Sequence, residues 1–94
     1  MALPFTLQQL RILKAIVSEK SFTKAAEILF MSQPSLSKQI KTLETRLGIL
    51  LLNRENNNIS LTEAGKVFIQ YSERILALCE ESCLTCNLEL HRQQ

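Results

Sequence analysis

The chain has no tryptophan and no aspartate, one histidine, one tyrosine, two glycines and two prolines in 94 residues. So few glycines and prolines leave little room for the many turns of an all-β fold. Without aspartate, with His91 alone near the end and with no glycine-rich phosphate loop, there is no catalytic constellation. No catalytic residue is expected, and the chain does not read as an enzyme. Ser32, Ser35 and Ser37 lack a base partner nearby and suit helix capping or surface contact better. No apolar run approaches the roughly 20 residues that span a bilayer. The opening MALPFTLQQL lacks a basic segment followed by a long apolar run, so no secretory leader is expected.

Cysteine is scarce and clustered: Cys79, Cys83 and Cys86. An odd number without a leader argues against a disulfide framework and for a reducing, intracellular compartment. Cys83, Cys86 and His91 loosely imitate zinc spacing. However, the three cysteines share one helical face, and a closed zinc site wants four ligands on converging backbone. They are expected to be small packing residues, with no metal and no cofactor.

The length suits one small domain with a modest core. Net charge is +2 and uneven. Met1–Lys66 carries nine Lys/Arg against five Glu, whereas Val67–Gln94 carries two Arg against four Glu. A basic front half suits nucleic-acid contact at one end of the molecule.

Thr6-Leu7-Gln8-Gln9 fits a capping box opening a first helix, with Leu7, Leu10, Leu13, Ile16 and Val17 at helical spacing. Ser21 caps a second helix predicted to run to about Phe30. Its Ala25 and Ala26 allow close helix approach, and Ile28 and Leu29 are expected to face the core. Phe30-Met31-Ser32 is a turn without glycine. Ser32 caps a third helix, with Pro34 tolerated in its first turn. Projected at about 100° per residue, Leu36, Ile40, Leu43 and Leu47 share one face of that helix. Pro34, Lys38, Lys41 and Thr45 share the opposite face, flanked by Ser35, Ser37 and Thr42; the only acid, Glu44, lies to the side. A merely solvated face usually mixes Glu with Lys, so this one reads as a nucleic-acid surface.

Gly48 ends the third helix. Two β-type runs follow, Ile49 to Arg54 and Ile59 to Leu61, around the turn Glu55-Asn56-Asn57-Asn58, in which Asn can adopt the left-handed conformation. This predicts a small wing, with Arg54 near its tip able to reach a minor groove or a phosphate. Thr62 caps a fourth helix expected to reach at least Leu84. Ala64, Phe68, Tyr71, Ile75 and Leu78 recur at heptad spacing, and a helix this long needs a two-fold related copy to cover its stripe. The expected fold is mainly α. It is a winged helix-turn-helix, a three-helix core with a two-stranded wing, over residues 1–62. A linker and dimerisation helix with a tail follows over 63–94.

SFTKAAEILFMSQPSLSKQIKTLETRLG, then LLNRE, then LTEAG, resembles the N-terminal domain of the LysR-type transcriptional regulators over residues 5–84 or so. Within that family, PFTLQQLRILKAI with LLNREN and LALCEESC looks most like the Rubisco-operon regulators of autotrophic bacteria, cyanobacteria and algal plastids. The resemblance implies a homodimer through Phe68, Tyr71, Ile75 and Leu78, double-stranded DNA as partner, no membrane, and an algal plastid stroma or bacterial cytoplasm as location. Carried over position by position, Gln33, Pro34, Ser35 and Lys38 match base-contact positions. Ser32, Ser37, Lys41 and Arg54 match backbone or wing positions, and Thr62 and Gly65 begin a helix whose N–H groups can meet a phosphate. Bidentate amide contacts by Gln33 favour adenine, and Pro34 or Ser35 can pack on a thymine methyl.

This sequence departs from the family where Leu52 replaces a usual phenylalanine and Asn56, Asn57 and Asn58 replace basic wing residues. Family members continue into an effector domain, whereas LTCNLELHRQQ does not resemble the usual hinge. A truncated regulator without a small-molecule effector is therefore expected. The competing expectation is an interaction module that forms mixed dimers and blocks a full-length regulator.

Overall fold

Each of the first three helices begins at a hydroxyl that takes a free backbone N–H. Thr6 accepts from Gln9 N–H at 3.1 Å while the Gln9 side chain accepts from Thr6 N–H at 2.9 Å, the predicted capping box. Ser21 accepts from Lys24 N–H at 3.0 Å and Ser32 from Ser35 N–H at 3.2 Å. Each such cap contributes about 1 kcal/mol. The computed structural model describes residues 2–56 and 58–92. Its elements are α1 (Leu7–Glu19), α2 (Phe22–Ile28), α3 (Gln33–Leu47), β1 (Leu52–Glu55), β2 (Asn58–Leu61) and α4 (Glu63–Arg92). Asn57 and the side chain of His91, which figured in the sequence reading, lie outside what is described.

Leu10, Leu13 and Ile16 of α1, Ala25 and Ala26 of α2, and Leu36, Ile40 and Leu43 of α3 form the core with Ile12 and Leu51. Burying each large side chain stabilises the fold by about 1.5–3 kcal/mol. Leu7, expected on the inward stripe of α1, is 41% exposed, and Ile12 is buried in its place. A part-buried polar pair also ties α1 to α3: Gln9 Nε2 donates to Gln39 Oε1 at 3.2 Å.

The second helix stops at Ile28, short of the predicted Phe30. Met31 N–H reaches back to the Ala26 carbonyl at 2.9 Å and Phe30 N–H to the Glu27 carbonyl at 3.2 Å, which closes the helix. Phe30 takes the left-handed position, φ +56°, that glycine usually fills. Ile28 corrects a second expectation: it is 53% exposed. It lies about 160° around the helix from Ala26, whereas Leu29 turns back to the core.

Gly48, φ +72°, ends α3 as predicted, its N–H on the Glu44 carbonyl. The wing is an antiparallel pair with Leu52 opposite Leu61 and Arg54 opposite Ile59. Asn56 turns it at φ +51°. β1 begins at Leu52 rather than Ile49. Ile49 N–H and the Leu51 carbonyl bond to the ends of α3 and α4, leaving no ladder to join. β2 gains Asn58, which pairs with Glu55.

The 30 residues of α4 reach about 45 Å. Gly65, Ile69, Ser72 and Leu76 are its buried positions, and the helix packs on α1. Phe68 meets Phe5 edge to face, with centroids 5.8 Å apart. The heptad stripe lies beside this inner face. Ala64, Phe68 and Ile75 are therefore half-buried within the chain, while Tyr71 and Leu78 stay 56% and 63% exposed. Residues 81–90 all lie on the surface. Cys83 and Cys86 are consequently exposed and do not pack within the chain, correcting that expectation; Cys79 is half-buried. Among the described residues no helix is long and apolar enough to cross a membrane.

Candidate nucleic-acid interface

The core face of α3 fixes which residues it presents outward. With Leu36, Ile40 and Leu43 buried, Ser32, Gln33, Pro34, Ser35, Lys38 and Lys41 are exposed, and Ser37 is half-buried. Ser32 is already engaged, because its hydroxyl caps the helix and donates to Ser35 Oγ at 2.8 Å. The Ser35 hydroxyl keeps its own proton for an outside acceptor. Gln33 and Pro34 stand beside it on the first turn, the end that a recognition helix offers to base edges.

The wing turns this helix face into one wall of a groove of about 660 Å³. Pro34, Ser37, Lys38, Lys41 and Arg54 line it, together with Glu44, Leu50 and Leu52. A second groove of about 380 Å³ lies between the start of α2, the start of α3 and β2. Gln33, Ser37 and Arg54 line it with Lys20, Thr23 and Asn58. Ser37 and Arg54 belong to both and form the ridge between them. The structure thus groups the predicted base and backbone residues of α3 with Arg54 on one side of the molecule.

Arg54 sits near the tip of the wing, one residue before the end of β1, and its guanidinium lies 4.2 Å from the centroid of the Phe22 ring. A guanidinium over an aromatic face is held by the ring quadrupole, worth about 0.5–1 kcal/mol at an exposed site. Phe22 therefore holds a cation beside the recognition helix. Sequence reasoning missed this platform, since no spacing rule links the first residue of α2 to a strand 32 positions on.

Glu44, to the side of the cationic face, has a role that the sequence does not show. Its carboxylate accepts Leu51 N–H at 2.7 Å and Leu52 N–H at 3.3 Å. The one acid in the basic groove is thereby turned to the backbone. A carboxylate seven and eight residues before the N–H groups it accepts carries no pattern that marks such bonds.

Thr62 and Gly65 lie on the far side of the segment before β1. The Thr62 hydroxyl donates to the Leu50 carbonyl at 2.6 Å and accepts Gly65 N–H at 2.9 Å. Gly65 is buried, and its own N–H is held within the chain. Phe68, Tyr71, Ile75 and Leu78 run along α4, away from both grooves.

The family model described as "Bacterial regulatory helix-turn-helix protein, lysR family" matches residues 7–66. A "Probable RuBisCO transcriptional regulator" of Thalassiosira pseudonana is 83% identical over 87 residues, which cover 93% of this chain and 28% of that protein. One of Porphyra purpurea is 58% identical over 81 residues, covering 86% of this chain and 26% of that protein. The chain thus spans little more than a quarter of the length of these relatives. Among solved structures, the BenM_DBD/catB site 1 DNA complex superposes with a TM-score of 0.85 at 40% identity, covering 88% of this chain and 93% of that one. The CbnR_DBD-DNA complex gives 0.84 at 33% identity, covering 90% and 98%.

Proposed function

We propose a function from one premise: the chain belongs to the lysR family of bacterial regulatory helix-turn-helix proteins. Its fold is the family's winged helix-turn-helix DNA-binding domain with the long helix that follows. On that premise two copies pair through Phe68, Tyr71, Ile75 and Leu78 of α4 and bind double-stranded DNA as a dimer. The first turn of α3 reads base edges in two successive major grooves through Gln33, Pro34 and Ser35. Lys38 lies next to them and, with Lys41 and Arg54, draws in the phosphates. The regulated genes are those of Rubisco or carbon fixation, in an algal plastid or a bacterial cytoplasm. The names and algal sources of the relatives support that assignment.

One observation carries the DNA reading. Lys38, Lys41 and Arg54 line a single groove beside the exposed first turn of α3, and the only acid there, Glu44, is engaged by backbone N–H groups. A groove of that sign and shape suits a polyanion, whereas an apolar patch would suit a protein.

Mobility-shift titration at several salt concentrations tests it. Lys41→Ala should weaken binding to every sequence and reduce the salt slope of the dimer by about two, one for each copy. A changed base preference in that variant would mean that α3 lies rotated in the groove. Sedimentation of the free protein counts the subunits: a two-fold larger species supports the pairing through α4, and a monomer at all concentrations refutes it.

A further inference from the structure

The short segment Leu50–Leu52 is held from two directions. From α3, the Glu44 carboxylate takes Leu51 N–H at 2.7 Å and Leu52 N–H at 3.3 Å. From the start of α4, the Thr62 hydroxyl donates to the Leu50 carbonyl at 2.6 Å and Thr62 N–H to the Leu51 carbonyl at 2.9 Å. The same hydroxyl accepts Gly65 N–H and so caps α4. A Cβ on Gly65 would collide with the Leu51 carbonyl oxygen, so α4 approaches this closely only with glycine there. The Leu51 side chain is fully buried, which anchors the segment in the core. The bonds to Glu44 are charge-assisted, a stronger class than neutral ones. The end of α3 and the beginning of α4 are therefore bolted to the same three residues.

We propose that Glu44, Thr62 and Gly65 are positioning residues that fix the angle between α3 and α4, and with it the spacing of the half-sites the dimer accepts. The inference rests on the dimeric DNA reading above. Each base pair inserted between half-sites shifts one by about 3.4 Å and turns it by roughly a tenth of a turn. A stiff joint between the helix that pairs and the helix that reads converts that displacement into lost contact, and a loose joint absorbs it. Glu44 lies three turns along α3 from Gln33, about 16 Å away, and although it lines the groove its carboxylate is turned to Leu51 and Leu52 N–H, so the base preference set by the first turn of α3 is expected to stay the same without it.

The test is selection from DNA pools that hold the half-site preferred by the wild-type chain and vary only the spacer. The wild-type chain is expected to disfavour one added or removed base pair by about tenfold, the size of a single mismatch. Glu44→Ala and Thr62→Val are each expected to cut that discrimination to about threefold or less while selecting the same half-site bases. Glu44→Gln, which keeps an acceptor oxygen without the charge, should retain the wild-type profile. Removing the Glu44 charge strengthens binding equally at every spacing, so only the spacer profile reports on the joint. Thr62→Val preserves shape and carries the test if Glu44→Ala does not fold. Identical spacer profiles for wild type, Glu44→Ala and Thr62→Val overturn the inference and leave the dimer reading standing. A wild-type chain with no spacer preference also overturns the inference, and a monomer in sedimentation at all concentrations is what overturns the dimer reading.

Discussion

At the scale of single residues, two aromatic side chains act in opposite ways. Phe22 keeps its ring in the core and lends one face to the Arg54 guanidinium. Phe22→Leu keeps the apolar burial but removes that face. Affinity of the dimer for all DNA sequences should fall by about five- to thirtyfold, the equivalent of one cation–π term in each copy, with base preference unchanged. Filter-binding titrations on a specific and a random duplex check this, and a loss confined to one sequence would contradict it. Phe30 is 97% exposed and sits in left-handed backbone, so its ring gains nothing from burial while its Cβ crowds the chain. A non-glycine residue there costs about 1–2 kcal/mol, and glycine gives back roughly half of that through its freer unfolded state. Phe30→Gly should therefore raise stability by about 0.5–1 kcal/mol in chemical denaturation. A clear loss of stability would mean that the ring makes a contact of its own.

At the scale of elements, the helices were legible because caps and periodicity agree. Thr6, Ser21 and Ser32 each stand one residue before their helix, and Leu36, Ile40 and Leu43 face inward as their spacing demands. The illegible parts are those decided by distant partners. β1 starts three residues late because Glu44 and Thr62 compete for its backbone. The second helix ends early because Met31 N–H folds back onto Ala26. The outward face of α3 could be read from the sequence, but its grouping with Arg54 on the Phe22 ring could not, since it joins residues from three elements. The stripe on α4 was partly legible: Tyr71 and Leu78 are exposed, while Phe68 is half-covered by Phe5. Both exposed residues can therefore be changed without opening the core. Tyr71→Glu with Leu78→Glu should leave helix content intact by circular dichroism and yield monomers in sedimentation. Dimers that persist would place the pairing surface elsewhere.

At the scale of the whole molecule, the parts divide the work between them. The core holds α3 with its first turn outward, the wing closes a basic groove against it, and α4, packed on α1 through Ser72 and Leu76, turns Tyr71 and Leu78 to the surface. On the proposed function, each copy brings three cations to the groove beside α3, Lys38, Lys41 and Arg54, pairing doubles them and sets the reading frame, and specificity rests on the few side chains at the start of α3. The measurement closest to that claim is selection from a fully randomised duplex pool by the wild-type chain and by Gln33→Ala. The account predicts paired, inverted half-sites for the wild type, and for Gln33→Ala the same half-sites with preference relaxed at one position in each. An unchanged preference in Gln33→Ala, or no enriched sequence for the wild type, would contradict it.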